Sequence, residues 1–363
     1  MERTIGRQPR IRLDVEVFYP PPRDICLCLS GGGFRAAAYH LGVVQWLFEE
    51  GVLPYVQEFR SVSGGSLIAA WLWRNSEWIL KPSTTEEEFE SRFTAPFLEF
   101  ISSDIRTGPF LRTAGVNLFS KEPRVRQMER RVAAFLRVAE LSDPPQTDAL
   151  FRFLALNTQT LELDGLRPTL DLVARQLLAS AAFPPVVGPV RIGSQTYLDG
   201  GLASNLGIGG DTLHKWRMVM VSDAGKGLPN WLSSARTPVS LRVLKILRGG
   251  ADSAVRSFLA QANSDEVIVA VAPLPYDDWF SDTSGEHPSS DLTRLGRLRT
   301  DLAGFSRRDL EALQRAGYLV ARNTLGRALD SWAARAGVEE SRFIPDQTGV
   351  AAYLERRSSA YDL

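Results

Sequence analysis

The stretch SVSGGS places a serine where a strand-to-helix turn would expose a nucleophile. Ser63 follows the strand-like run FRSV and precedes SLIAAWLW, which has helical character. In a G-x-S-x-G turn, the residues two before and two after the serine must be small because the turn crowds the backbone. Ser61 and Gly65 fill these positions, with Ser61 in place of the usual glycine. A serine and glycine pair that only caps a helix gives the same pattern, so this turn alone leaves both interpretations open.

A second glycine-rich turn lies one predicted strand earlier. Gly31, Gly32 and Gly33 separate the apolar run ICLCLS from a helix predicted over 34–50. Backbone N–H groups at such a helix start can stabilise the oxyanion of an acyl-transfer reaction. The run GGGFRA also matches the dinucleotide-binding pattern, which requires an acidic residue at the end of the next strand. That strand ends at Val62 without a carboxylate, which disfavours a dinucleotide site. A turn that only packs helix against strand stays an alternative.

A serine nucleophile needs a proton acceptor, and the sequence offers both histidines and aspartates. His40 lies inside the first predicted helix, where we expect it to be structural; His214 lies in a predicted surface helix and His287 in a predicted loop. Asp199 ends a strand-like run and precedes two glycines, which would hold it in a tight turn. Asp223 ends another strand-like run and is the rival carboxylate. An aspartate before two glycines is also common in hairpin turns, so its position alone decides little.

Alternating strand-like and helix-like segments with short connections predict the α/β class, with a parallel sheet covered by helices. We expect one α/β domain over about 24–325, preceded by an N-terminal arm (1–23) and followed by a C-terminal helix and tail (326–363). The charged segment of about 75–145 is predicted to be a helical insertion. Strands are predicted at 25–30, 59–62, 151–157, 196–199, 217–223 and 266–274. Further helices are predicted near 170–182, 238–262 and 306–336, and capping boxes at Thr84–Glu87, Thr85–Glu88 and Ser306–Asp309.

Composition and charge disfavour several classes of function. The 363 residues include 42 Lys+Arg and 42 Asp+Glu, so the formal net charge is zero and no nucleic-acid partner is expected. Cys26 and Cys28 are two positions apart in one predicted strand, a poor geometry for a disulfide, which indicates core thiols. The histidines show no metal-ligand spacing, so neither a metal nor a cofactor is expected. No signal peptide or bilayer-length apolar stretch is visible, which predicts a cytoplasmic protein.

Three blocks taken together resemble the patatin-like phospholipase family, and they stand in that family's order. GGGFR (31–35) matches its glycine-rich G-G-G-x-R loop, SVSGG (61–65) its G-x-S-x-G elbow and DGG (199–201) its D-G-G/A turn. ASAAFPPV (179–186) also resembles the A-S-x-x-x-P block that precedes the aspartate. The joint occurrence of spaced motifs is far more specific than any one of them. The resemblance extends over about 24–325.

The resemblance implies a three-layer α/β/α fold with a mainly parallel central sheet. It also implies a serine hydrolase of the phospholipase A or lysophospholipase class, which cleaves carboxylic esters of phospholipids or lysophospholipids and touches a membrane surface transiently. Ser63 would be the nucleophile and Asp199 the base of a dyad without histidine, and Arg35 would brace the glycine loop. The oxyanion hole would be formed by Gly31, Gly32, Gly33 and Gly64.

This sequence departs from the family pattern at two places. Ser61 replaces the first glycine of the elbow, which could tighten or distort the turn. The run Asn205-Leu206-Gly207 lacks the proline that usually follows the family's asparagine, so the loop beyond Asp199 could differ. Neither departure removes a catalytic group.

Two other functions stay open at this point. An esterase with a catalytic triad could use Ser63, then Asp199 or Asp223, then His287 in chain order. A catalytically silent module could bind a lipid or nucleotide at the glycine loop. Because bacterial members of the family include membrane-degrading effectors, a regulated hydrolase with an activating ligand or partner, or a homo-oligomer, also remains open.

Overall fold

The computed structural model describes most of the predicted domain. Several predictions lie outside the described residues: the N-terminal arm, the helix near 238–262, His214 and His287. The described residues are 25–81, 83–103, 122–184, 187–208, 216, 218–225, 268–274, 294–296, 298, 302 and 304–335.

One mixed sheet forms the centre of the described part of the chain. Its strands are β1 (Ile25–Leu29), β2 (Val56–Ser61), β3 (Leu150–Asn157), β4 (Leu163–Leu166), β5 (Val190–Ile192), β6 (Gln195–Asp199), β7 (Met218–Asp223) and β8 (Ile268–Pro273). Their order is β5-β6-β3-β2-β1-β7-β8, with β4 paired to β3. The strands β3, β2, β1, β7 and β8 run parallel, whereas β4, β5 and β6 are antiparallel to their neighbours.

Helices pack against this sheet. They are α1 (Gly33–Glu49), α2 (Gly64–Ile79), α3 (Glu86–Glu88), α4 (Ala95–Ser102), α5 (Glu122–Phe135), α6 (Val173–Ser180) and α7 (Arg307–Arg335), with a π-helical segment (Phe89–Thr94) joining α3 to α4. The predicted α/β class with a mainly parallel central sheet is therefore confirmed. The capping box of Thr85 and Glu88 is present as predicted. None of the helices in the described part of the chain has both the length and the apolar character needed to cross a bilayer.

The two faces of β1 belong to different apolar clusters. Ile25, Leu27 and Leu29 join the large core that the helices share. Cys26 and Cys28 face the other side, where they pack with residues of β7 and of the loop after β6. Their Sγ atoms are 3.9 Å apart and both thiols are free, and burial raises the pKa of the Cys26 thiol well above its usual range. The predicted side-by-side core thiols are confirmed.

Helices α1 and α7 approach each other closely through two glycines. A Cβ added at Gly42 of α1 would overlap the carbonyl oxygen of Gln314, and one added at Gly317 of α7 would overlap the carbonyl oxygen of Tyr39. Backbone cannot move aside as the end of a flexible side chain can. The helix that carries the glycine loop at its start is therefore held against α7 by direct backbone contact.

Replacement of Gly42 by alanine should lower the free energy of unfolding by about 2 kcal/mol or more, because an overpacked core forces backbone shifts. Denaturant unfolding followed by circular dichroism measures this change. Gly165→Ala is the matched control, since its Cβ would meet only the Arg152 side chain, 3.1 Å away at the nearest atom. A Gly42→Ala protein as stable as the control would contradict the close packing.

His40 connects α1 to the ends of β1 and β7. Its Nε2–H donates to the Ser30 carbonyl oxygen (2.9 Å), so its Nδ1 accepts the Ser222 hydroxyl (2.6 Å). The Ser30 N–H in turn donates to the Ser222 carbonyl oxygen (3.1 Å). Burial lowers the pKa of His40 to about 4, and the Arg35 charge adds to this effect. His40 is thus a neutral, fully engaged structural residue directly beneath the glycine loop, as the sequence indicated.

Stability should fall as the pH drops from about 6.5 towards 4. In this window the unfolded chain binds a proton at His40 and the folded chain does not, which costs about 1.4 kcal/mol per pH unit. Urea unfolding at several pH values should show a shallower dependence for His40→Gln than for the wild type. Because the other two histidines are present in both proteins, their contribution cancels in the comparison. Equal slopes for the two proteins would contradict a neutral buried His40.

Candidate active site

Ser63 occupies a strained turn between β2 and α2. Its backbone angles are φ 50° and ψ −114°, and it is one of the few non-glycine residues with positive φ in the described chain. Two backbone bonds close the turn, from Gly65 N–H to the Val62 carbonyl (2.8 Å) and from Ser66 N–H to the Ser63 carbonyl (2.9 Å). The side chain of Ser63 is half-buried. This is the geometry of a nucleophile elbow, which presents a serine hydroxyl at the edge of a sheet.

The elbow and the glycine loop lie in direct contact. A Cβ on Gly64 would overlap the carbonyl oxygen of Gly33 and come within 2.7 Å of its amide nitrogen. A Cβ on Gly65 would overlap the carbonyl oxygen of Leu29 and reach 2.7 Å from that of Ser30. Glycine is therefore required twice in the elbow because the preceding strand and its loop occupy the space of a side chain.

Asp199 reaches the same edge from the opposite direction. Ser61, at the end of β2, pairs with Phe153 of β3, and Asp199, at the end of β6, pairs with Ala155 two residues further along. The parallel β2 and the antiparallel β6 therefore end head to head beside one strand. Asp199 is 4% exposed, and its Oδ1 accepts the N–H of Gly201 at 2.7 Å. The sequence predicted the turn, but it gave no sign that β6 would be antiparallel.

The Asn205 side chain lies close to both predicted catalytic turns. Its side-chain oxygen is 2.6 Å from the position of a Cβ on Gly31 and 2.8 Å from that of a Cβ on Gly201. Ser63 Cβ lies 3.2 Å from the first of these positions, and Asp199 Oδ1 lies 3.0 Å from the second. The Asn205 side-chain oxygen thus lies close to the glycine loop beside Ser63 and to the turn that follows Asp199. Nothing in the local sequence around Asn205 indicates this position, because the contact joins segments that are far apart in the chain.

The backbone N–H groups around Ser63 are not equivalent. The Gly31 N–H donates to the Asn205 carbonyl oxygen at 3.1 Å. Within the described part of the chain, the N–H groups of Gly32, Gly33 and Gly64 have no acceptor. Gly32 and Gly33 also have positive φ values of 147° and 62°, which turn the loop into the start of α1. The three groups thus differ from the Gly31 N–H, which ties the loop to the chain after Asp199.

Arg35 lies wholly buried beneath the glycine loop. Its guanidinium donates to the carbonyl oxygen of Ala224 at 2.5 Å and to that of Gly296. A Cβ on Gly32 would come within 2.8 Å of the same Ala224 oxygen and within 3.4 Å of Arg35 Nη2. Arg35 therefore joins the start of α1 to the loop after β7, directly under the tightest part of the glycine loop.

The rival bases have different surroundings. Asp223, at the end of β7, is 2% exposed, and its Oδ1 accepts the Gly225 N–H at 2.7 Å in a turn like that of Asp199. The nitrogen of the Asn205 amide lies against the position of a Cβ on Gly225, so Asp223 stands on the far side of Asn205 from Gly201. Both nitrogens of His40 are already engaged in hydrogen bonds. In the described ranges, no cluster of three or more His, Cys, Asp or Glu residues could hold a metal ion.

The loop after Asp199 departs from the family pattern for a backbone reason. Gly207 has a φ of +76°, a value that proline cannot adopt because its ring fixes φ near about −65°. The Gly207 carbonyl oxygen accepts the Nε–H of Arg60, three residues before Ser63, at 3.0 Å. Arg60 also pairs with the buried Glu58 carboxylate at 3.3 Å. The glycine thus lets the loop turn towards β2, where a charged pair holds it.

Known proteins resemble this chain in fold and in sequence pattern. The structure is similar to VipD from Legionella pneumophila, with 15% identity, a TM-score of 0.35, and 85% of this chain and 67% of that chain covered. It is also similar to the type III effector protein ExoU, with 14% identity and a TM-score of 0.32; the match covers 94% of this chain but only 60% of ExoU. No curated protein matches the sequence. The family model described as patatin-like phospholipase matches residues 27–210, which is half of the chain and contains both turns and Asp199, so the chain belongs to the patatin-like phospholipase family.

Proposed function

We propose that this protein hydrolyses carboxylic esters of phospholipids or lysophospholipids through Ser63 and Asp199. Membership of the family supports a lipid acyl hydrolase. The observation that carries the proposal is that the Ser63 turn and Asp199 lie at the ends of β2 and β6, which meet beside β3, with the Asn205 side-chain oxygen close to both turns.

The chemistry follows from the positions of the groups. Asp199 accepts the proton of the Ser63 hydroxyl while the oxygen attacks the ester carbonyl. The tetrahedral oxyanion is stabilised by the N–H groups of Gly32, Gly33 and Gly64, each of which contributes about 3–4 kcal/mol in comparable oxyanion holes. The alcohol leaves with a proton from Asp199, and the acyl group stays on Ser63. Asp199 then takes a proton from water as the water oxygen attacks the acyl carbonyl. The bond between the acyl carbon and Ser63 Oγ breaks, Asp199 returns the proton to Ser63, and the fatty acid is released.

The other groups at this edge support the reaction without touching the substrate. Arg35 fixes the loop that carries the oxyanion donors, and Gly31 anchors the same loop to Asn205. The lipid substrate implies transient contact with a membrane surface. No step requires a metal or a cofactor, because a carboxylate, a hydroxyl and backbone amides supply every proton transfer and charge stabilisation.

Fatty-acid release from mixed phospholipid vesicles should fall by roughly 10³-fold or more in Ser63→Ala and in Asp199→Asn, since each removes a reacting group. Ser91→Ala and Asp171→Asn are matched controls, because both residues are exposed and lie outside the site. The controls should release fatty acid at the wild-type rate. Substrate specificity follows from repeating the assay with single phospholipids and lysophospholipids.

The same assay separates the dyad from its rivals. Release that survives Asp199→Asn would assign the base elsewhere, and Asp223→Asn, His214→Ala and His287→Ala would then identify it. A wild-type protein that binds vesicles but releases no fatty acid under any lipid composition would contradict hydrolysis and favour a binding module. Labelling by a fluorophosphonate probe that disappears in Ser63→Ala would show the nucleophile independently of the lipid.

A further inference from the structure

A buried hydroxyl lies directly behind the proposed nucleophile. Ser180, the last residue of α6, is 0% exposed, and its Oγ accepts the backbone N–H of Ser63 at 3.0 Å. The same hydroxyl donates to the carbonyl oxygen of Leu154 in β3 at 2.7 Å. The Ser180 hydroxyl therefore accepts a hydrogen bond from the main chain of Ser63 and donates one to the main chain of β3.

The proposed base is held by the same short segment. The N–H of Asp199 donates to the carbonyl oxygen of Ala182 at 3.2 Å. Ser180 and Ala182 are two residues apart, and between them they bind the backbone N–H groups of both Ser63 and Asp199. Leu154, which receives the Ser180 proton, precedes Ala155, the residue that pairs with Asp199. Strand β3 and the C-terminal end of α6 thus bind the backbone of both residues and set their separation.

Two further serines complete a chain of hydroxyls under the elbow. Ser66 Oγ lies 2.9 Å from Ser180 Oγ and 3.0 Å from Ser61 Oγ, and the Ser61 hydroxyl donates to the Arg152 carbonyl at 3.3 Å. The hydroxyls of Ser61, Ser66 and Ser180 have one proton each. Together they make four contacts with oxygen atoms: two with each other and one each with the carbonyl oxygens of Arg152 and Leu154. At any moment one of the four contacts therefore lacks a hydroxyl proton. Ser61 occupies the position where the family has glycine, and its hydroxyl is the last member of this series of hydrogen-bonded hydroxyls.

The position of Ser180 has a chemical consequence. The peptide plane before Ser63 defines where its Cβ and Oγ stand, and the positive φ of Ser63 must be maintained by its surroundings. Ser180 is the side chain that binds this peptide's N–H. Loss of the Ser180 hydroxyl would leave a buried N–H without an acceptor and let the elbow relax away from Asp199.

We propose that Ser180 is a positioning residue for the ester hydrolysis. It acts through its hydrogen bond with the Ser63 N–H, while the carbonyl oxygen of Ala182, two residues later, binds the N–H of Asp199. The proposal rests on the proposed function, since it assigns Ser180 no contact with the reacting atoms. Because Ser180 affects the alignment of nucleophile and base, its loss should lower kcat and the reactivity of Ser63 and leave substrate binding unchanged.

The test compares Ser180→Ala with Ser180→Thr, which keeps the hydroxyl, on the full chain. Steady-state hydrolysis of a soluble ester and the labelling rate of Ser63 by a fluorophosphonate are measured together with thermal unfolding. Ser180→Ala should lower kcat by 10- to 100-fold and the labelling rate by a similar factor, with KM within about 2-fold, by analogy with other lost alignments. Ser180→Thr should restore both rates to within a few-fold of the wild type.

Ser76→Ala is the matched control, because Ser76 is also buried and its hydroxyl donates to a carbonyl oxygen, that of Trp73 at 2.9 Å, within α2. It should lower the unfolding temperature without changing the rate per folded molecule. A Ser180→Ala protein whose rates per folded molecule equal those of the control would overturn the proposal, as would a Ser180→Thr protein as slow as the alanine variant. If Ser180→Ala does not fold, Ser180→Cys replaces it, because a thiol is a weak acceptor for the Ser63 N–H; it should show the same losses, and a cysteine variant with wild-type rates would overturn the proposal.

Failure of the proposed function gives a different result. In that case the wild type is not labelled at Ser63, or its hydrolysis survives Ser63→Ala, and the role of Ser180 falls with it. Normal labelling of the wild type that disappears in Ser63→Ala, combined with unchanged rates in Ser180→Ala, overturns the positioning role alone.

Discussion

The backbone conformation of Ser63 is the constraint on which the rest of the site depends. A non-glycine residue at φ 50° and ψ −114° costs about 1–3 kcal/mol, and it persists only where the surroundings leave no alternative. Here Gly64 rests on the backbone of Gly33 and Gly65 on that of Leu29. The glycine loop and the elbow therefore specify each other. Neither can change its course without displacing the other, and together they bring amide groups beside a serine hydroxyl.

Strand β3 extends this constraint to the acid. Its first half pairs in parallel with β2 and its second half in antiparallel with β6, so the two strands that carry Ser63 and Asp199 end beside the same backbone. A purely parallel sheet would bring only one of them to this place, since parallel strands need crossover connections and lie side by side. The antiparallel pairing of β6 thus brings Asp199 beside the end of β2. The Asn205 side-chain oxygen lies close to the turns at both ends.

Much of this arrangement could be predicted from local patterns, and the part that could not is tertiary. The elbow, the helix starting after the glycine loop, the Thr85–Glu88 capping box and the strands β1 and β7 follow from turn chemistry and apolar runs. Strand β4 could not be predicted because all four of its residues are half-buried, so its sequence shows no alternation of apolar and polar residues. The contacts of Ser180 and Asn205 could not be predicted either, because each joins segments that are far apart in the sequence. The placement of catalytic roles on Ser63 and Asp199 stays a prediction until activity is measured.

The two departures from the family pattern show what such a pattern encodes. Gly207 replaces a proline, yet the loop is still held, because Arg60 binds its carbonyl oxygen and a positive φ directs it towards β2. Ser61 replaces a glycine, yet the turn is still formed, because its hydroxyl is used by Ser66 and by the Arg152 carbonyl. At Gly64 and Gly65, by contrast, neighbouring backbone fills the space of any side chain. Backbone packing thus requires glycine at Gly64 and Gly65, whereas at Ser61 and Gly207 a residue other than the usual one is accommodated with a hydrogen bond of its own.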